Sequence, residues 1–224
     1  MNVGLRYLAN ETDVALVTRL DSDDLLARHS LRVRAERFDE HVGAVFARQG
    51  GFTHDNFWNT ADRLHHDENL TKSNIFRYML PYHSLMFRRD LLEGLEYPTD
   101  VSSQEDVDFT LRVFQKTTDR GWVFAFVDAL TVWIRAHEDS ISAHLNAFID
   151  AWMISQVWRR HRDQLRLMDL LVQLRINSLK YRLWHPALGK WQRIVEGSTP
   201  PPADPYSIPA EVEWFAGMTE PRST

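Results

Sequence analysis

The chain has 224 residues, 44% of them hydrophobic and 25% charged, with a formal net charge of -5 and no cysteine. That length buries a core as one domain, or as one domain with an appendage, while the mild acidity gives no general pull toward nucleic acid. The absence of cysteine excludes disulfides and thiolate chemistry. Residues 1–10 lack the basic-then-apolar pattern of a leader, and no run is apolar enough to span a bilayer, so the expectation is a soluble, cytoplasmic protein.

Residues 2–13 read as the end of a helix followed by a polar turn. Residues 14–20 are β-branched and aliphatic at most positions, as in a strand covered on both faces. They run straight into Asp21-Ser22-Asp23-Asp24. Three carboxylates in four positions repel one another unless a cation sits among them, and oxygen ligands suit Mg²⁺ or Mn²⁺. The alternative is a helix start, because Asp and Ser are favoured caps and residues 25–40 have helical spacing with charges on the outer face. Residues 41–46 read as a second short strand, giving the alternation of an α/β sheet.

Residues 49–74 are polar and read as an irregular loop with one hairpin joining Gly51-Phe52 to Phe57-Trp58. His54, His65 and His66 in that loop have no partner ligand at helical or strand spacing, so solvated side chains explain them best. Residues 74–88 read as a strand-like segment ending in Ser84-Leu85-Met86-Phe87-Arg88, then a short helix closed by Gly94. Ser103 is a cap candidate for a helix entered through Glu105, Asp106 and Asp108. Capping accounts for one or two of these acids, not for three. Residues 122–134 read as two short strands around an Asp-Ala turn, leading to Arg135-Ala136-His137-Glu138-Asp139-Ser140-Ile141-Ser142. From residue 144 an apolar stripe through Phe148, Trp152, Val157 and Leu165 predicts two helices docked on the α/β part. Their Arg and Trp content leaves peripheral membrane contact and a homo-oligomer open as alternatives. Residues 198–205 are a proline-rich breaker before an extended tail.

The acidic strand end, the Glu-Asp helix start and the Arg-x-His-x-x-Ser-x-Ser exit follow one another in a fixed order. With the Ser84-Leu85-Met86-Phe87-Arg88-Arg89 segment between them, this order resembles the family 2 glycosyltransferases of the GT-A fold over residues 2–143. The resemblance implies an α/β fold: a partial GT-A mixed sheet with helices, followed by a helical extension (residues 144–197) and a proline-rich tail (198–224). Members of that family open with a strand, helix and strand that hold the nucleotide base. Here Asp21 follows Met1 by only twenty residues, so the core is expected to be truncated at its N-terminus, with one sheet edge exposed.

The resemblance also implies roles. Asp21 and Asp24 would bind the donor; Asp23, Asp21 and His137 would hold Mn²⁺ or Mg²⁺ on its diphosphate; Asp106, with Glu105 beside it, would deprotonate the acceptor hydroxyl. The implied reaction is metal-dependent, inverting transfer from a nucleotide-diphosphate-sugar donor to a saccharide or lipid-linked acceptor. Such chemistry needs a cation at the leaving group and a base on the opposite face. A non-catalytic module that keeps the fold for binding or oligomeric assembly is the alternative. A metal-dependent phosphoester hydrolase fits less well, because it would recruit several His and Asp from consecutive strand ends.

Overall fold

The structure, a computed structural model, describes residues 1–53, 57–59, 70–78, 82–100, 104–135 and 147–183. Within them the chain runs α1 (Asn2–Glu11), β1 (Leu16–Thr18), β2 (Leu25–Leu26), α2 (Ser30–Ala35), β3 (Val42–Phe52), β4 (Phe57–Asn59), α3 (Lys72–Tyr78), β5 (Met86–Arg88), α4 (Glu105–Asp119), β6 (Val123–Arg135), α5 (Ala147–Arg160) and α6 (Leu167–Leu183). Short 3-10 turns cover Tyr82–Ser84 and Arg89–Leu92.

Among the described residues the strands form one mixed sheet in the order β1-β5-β3-β6-β2, with β4 hairpinned onto β3. Only β3 and β6 run parallel, and the other pairs are antiparallel. This is the expected α/β class. The centre of the sheet is β3, whose residues 42–47 are all buried, as a strand covered on both faces must be. Its far end makes the hairpin expected from Gly51-Phe52 and Phe57-Trp58, with Phe52 opposite Phe57.

Several local expectations are corrected. Leu25 and Leu26 do not begin a helix; they pair with Trp133 and Val132 of β6, and the Ala27 amide donates to Thr131 O at 3.0 Å. The outer edge of β6 thereby gains a backbone partner, which local helical spacing cannot reveal. The helix that follows is confined to Ser30–Ala35, and its Arg34 is fully buried rather than on an outer face. Residues 72–78 are helical, not strand-like. Thr71 caps them, its hydroxyl oxygen accepting from the Asn74 amide at 3.2 Å. Trp122 precedes one continuous strand, not two. Partners along β3 jump from Ala47↔Val127 to Arg48↔Leu130, so Asp128-Ala129 bulges out of the ladder instead of turning the chain.

The main core joins Val17, Phe46, Phe87 and Phe124 of the sheet to Val107, Leu111 and Val113 of α4, and the same cluster includes Ile154, Val157 and Leu165 from beyond residue 143. The C-terminal helices pack on this core through Ile154, Val157 and Leu165, with Leu170 and Leu174 against it, while Trp152, Leu167 and Leu171 of the expected stripe are about half exposed or more. No helix among the described residues is long and apolar enough to cross a membrane. The tail at 198–224 lies outside the described residues.

Candidate metal and donor site

β1 delivers the acidic turn to the end of the sheet. Thr18 closes the strand, its hydroxyl donating to Leu85 O at 2.7 Å, and the Asp24 amide donates back to Asp21 O at 3.1 Å. The turn is tight because β2 must then pair with β6. That pairing also anchors Asp24, whose Oδ1 accepts the Arg135 backbone N–H at 3.0 Å. The acidic strand end and the Arg135 exit, 111 residues apart in sequence, are thus in direct contact.

A histidine that sequence reasoning passed over completes the group. His83 lies in the 3-10 turn before β5, with Nδ1 at 3.1 Å from Asp24 Oδ2 and 3.6 Å from Asp21 Oδ2. One ligand atom from each of Asp21, Asp24 and His83 lies within 4.8 Å of the others. Cis ligands of a six-coordinate ion at roughly 2.1 Å stand about 3.0 Å apart, so these separations fit a divalent cation. Asp24 is only 7% exposed, yet its Oδ2 makes no hydrogen bond, the state expected of an oxygen held for a cation. Asp23 is exposed and outside this trio. His137 lies outside the described residues. The available signal for His83 was its position just ahead of the Ser84-to-Arg89 segment, but a lone loop histidine carries no spacing that marks it.

Arg19 forks onto Asp21, with Nε and Nη2 donating at 2.7 and 2.8 Å. A bidentate pair of this kind fixes a carboxylate in orientation as well as charge. The guanidinium also lies over the Tyr97 ring, 5.7 Å from its centroid, and burial pushes the Tyr97 phenol up to about 12. Arg19, Tyr82, Tyr97, Asp106, Phe109 and Thr110 line one small pocket. This brings Asp106 to the same place as Asp21, from a helix 85 residues later in the chain.

Asp106 and Glu105 open α4. The Asp106 carboxylate accepts from the Val107 amide at 2.7 Å, and Tyr82 lines the same pocket. Burial raises its pKa above the ordinary carboxylate range, against the opposing pull of His83, Arg19, Val107 and Tyr82. Glu105 is raised too, by burial first and by the charge of Asp106 next. The expected cap, Ser103, lies outside the described residues; the residue at the cap position is Gln104, with no side-chain capping bond. Asp108, the third acid of the run, turns away from the pocket. It is fully buried against Arg112 Nε at 2.7 Å and His161 Nε2 at 3.0 Å.

No family model and no curated protein sequence matches the chain. Solved structures do. The S. aureus TarS 1–349 structure in complex with UDP-GlcNAc superposes with a TM-score of 0.54 at 16% identity, over 86% of this chain and 56% of that one. TarS 1–349 alone gives 0.53 at 18% identity, over 86% and 55%. TarS is a glycosyltransferase. The fold is glycosyltransferase-like. The chain spans just over half the length of the structures it matches. Within this glycosyltransferase-like fold the site described above lies among the turn after β1, the 3-10 turn before β5, the end of β6 and the start of α4.

Proposed function

We propose that the chain carries the catalytic portion of a metal-dependent, inverting family 2 glycosyltransferase acting on a nucleotide-diphosphate sugar. The observation that carries this reading is the meeting of two distant acidic segments: Asp21 and Asp24 beside His83, and Asp106 in the pocket lined by Arg19 and Tyr82. The UDP-GlcNAc held by TarS 1–349 makes a uridine-diphosphate sugar the first donor to try.

Asp21, Asp24 and His83 would hold the metal, with Asp23 facing solvent beside them. A bound Mn²⁺ or Mg²⁺ supplies positive charge for the diphosphate leaving group. Imidazole beside two carboxylates favours Mn²⁺ over Mg²⁺. Arg19 keeps Asp21 in register and adds a fixed positive charge at the pocket. Asp106 takes the proton from the acceptor hydroxyl, and its raised pKa makes it a stronger base than an ordinary carboxylate. The Val107 amide holds that carboxylate in orientation, with Tyr82 and Glu105 beside it. The acceptor, a saccharide or a lipid-linked saccharide, would approach on the Asp106 side.

Calorimetry with UDP and Mn²⁺ tests the site. UDP is expected to bind only with the metal present, and Asp24→Asn is expected to weaken that binding at least tenfold. Asp106→Asn should keep the binding while UDP release from UDP-GlcNAc falls by roughly 10² to 10⁴, the usual contribution of a general base. A folded sample that binds UDP equally well in chelator, or not at all, would sink the proposal. One observation favours a second reading, an assembly module: Leu167, Met168 and Leu171 on α6 are all more than half exposed. That reading expects an oligomer in light scattering whose size is unaffected by Asp24→Asn.

A further inference from the structure

Gln104 has φ 66 and ψ 11 and, among the described residues, is the non-glycine residue with positive φ. Side chains with a Cβ disfavour that left-handed region, and Gly or Asn would occupy it with less strain. Strain of this kind persists only where the surroundings over-determine the conformation. The surroundings here are specific. Gln104 is 8% exposed, and its Nε2 donates to Asp150 Oδ1 at 2.7 Å; Asp150, in the first turn of α5, is 1% exposed.

The backbone carbonyl of the same Gln104 accepts from the Asp108 amide at 3.1 Å and starts the hydrogen-bond ladder of α4. Its dihedrals therefore set the direction in which Glu105 and Asp106 leave. With no side-chain cap on this helix, the first turn is held from outside. The neighbouring segment supplies a second tether one turn on, through His161 to Asp108.

We infer that Asp150 is a positioning residue for Asp106, acting through the left-handed Gln104, so that the C-terminal helices aim the base. This rests on the reading of Asp106 as the base. A glutamine is used because it has the reach to Asp150 that glycine or asparagine lacks. The conformational cost is thereby tied to a contact between two parts of the chain.

Hydrogen exchange and turnover together test this. Gln104→Glu sets a carboxylate against Asp150, and the amides of residues 107–111 are expected to exchange at least tenfold faster. UDP release from UDP-GlcNAc should fall at least tenfold, while Mn²⁺-dependent UDP affinity stays within twofold. Adding Asp150→Asn reverses the hydrogen bond, with the new amide donating to the introduced carboxylate, and should restore both readouts. Gln104→Asn suits the left-handed conformation but is too short to reach Asp150, and carries the same expectation if charge repulsion unfolds the first variant.

Unchanged exchange in these variants, a double variant that fails to recover, or turnover and affinity falling together would overturn the inference. If the wild-type protein binds no UDP, the glycosyltransferase reading falls, and the exchange measurement alone still decides whether Asp150 holds the start of α4.

Discussion

At Asp24 burial and anchoring separate it from its neighbour Asp23: one oxygen is tied to the Arg135 amide, and the other is buried and left without a hydrogen bond beside His83. Arg34 shows the opposite arrangement, a buried guanidinium satisfied by neutral oxygens. Its Nη1 donates to Thr18 Oγ1 and Ser84 O at 2.9 and 2.8 Å, and its Nη2 to Ser30 Oγ at 2.8 Å. It thus ties the strand before the acidic turn to the turn that bears His83, and burial lowers its pKa to about 10. Lys72 offers the clearest pH dependence. Burial lowers its pKa from 10.5 to about 8, against the weaker pull of Asp163, Asp119 and Asp108. Between those two values the unfolded chain binds the proton that the folded chain has lost, so stability rises with pH across the window and is lost as pH falls through 8. Urea denaturation from pH 7 to 10.5 should show this rise in the wild-type protein and lose it in Lys72→Met. A rise of equal size in the variant would remove Lys72 as its source.

Among the elements, β3 bears the closest approach. A Cβ added to Gly43 would lie 2.7 Å from Thr117 Cγ2 and 3.0 Å from two Trp122 side-chain atoms. The glycine is therefore required by contact with α4 and the start of β6, and its backbone conformation is an ordinary strand. Gly43→Ala is expected to cost about 1–3 kcal/mol, the range for overpacking a filled core. Chemical denaturation should show a lower midpoint with an unchanged m-value. A wild-type midpoint would mean that α4 yields freely, which the Thr117 hydroxyl, donating to Val113 O at 2.8 Å, argues against.

Across the whole molecule, the C-terminal helices are fastened by buried polar groups as well as by apolar contacts. Asp169 of α6 accepts from Ser73 Oγ at 3.1 Å, from Arg77 Nε at 2.5 Å and from the Arg166 amide at 2.7 Å. Asp108 of α4 meets Arg112 and His161. Burial alone would raise its pKa, but the His161 hydrogen bond and the Arg112 charge outweigh that and hold it below the ordinary range. Removing one member of such a cluster leaves buried charge uncompensated. Asp108→Ala should cost about 3–5 kcal/mol in urea denaturation, and a loss under about 1 kcal/mol would show that the cluster is incidental to docking. Together with the Gln104–Asp150 bond, these contacts tie the two ends of α5 to the helix that carries Asp106, and α6 to α3.

Legible in the residues alone are the α/β class, the hairpin at Gly51, the short 3-10 turn followed by Gly94 at φ 63, the helical pair at the C-terminus and the order of the acidic segments. These follow from local periodicity and turn chemistry, which act over a few residues. Which acids gather depends on long-range packing. Asp24 rather than Asp23 turns inward because β2 pairs with β6. His83 joins because Arg34 and the β1–β5 pairing bring its turn alongside. Asp108 is spent on docking while Asp106 faces the pocket, because two residues along an α-helix turn the side-chain direction by about 200°, to the opposite face. Each of those outcomes depends on partners tens of residues away, and no spacing within a short window encodes them.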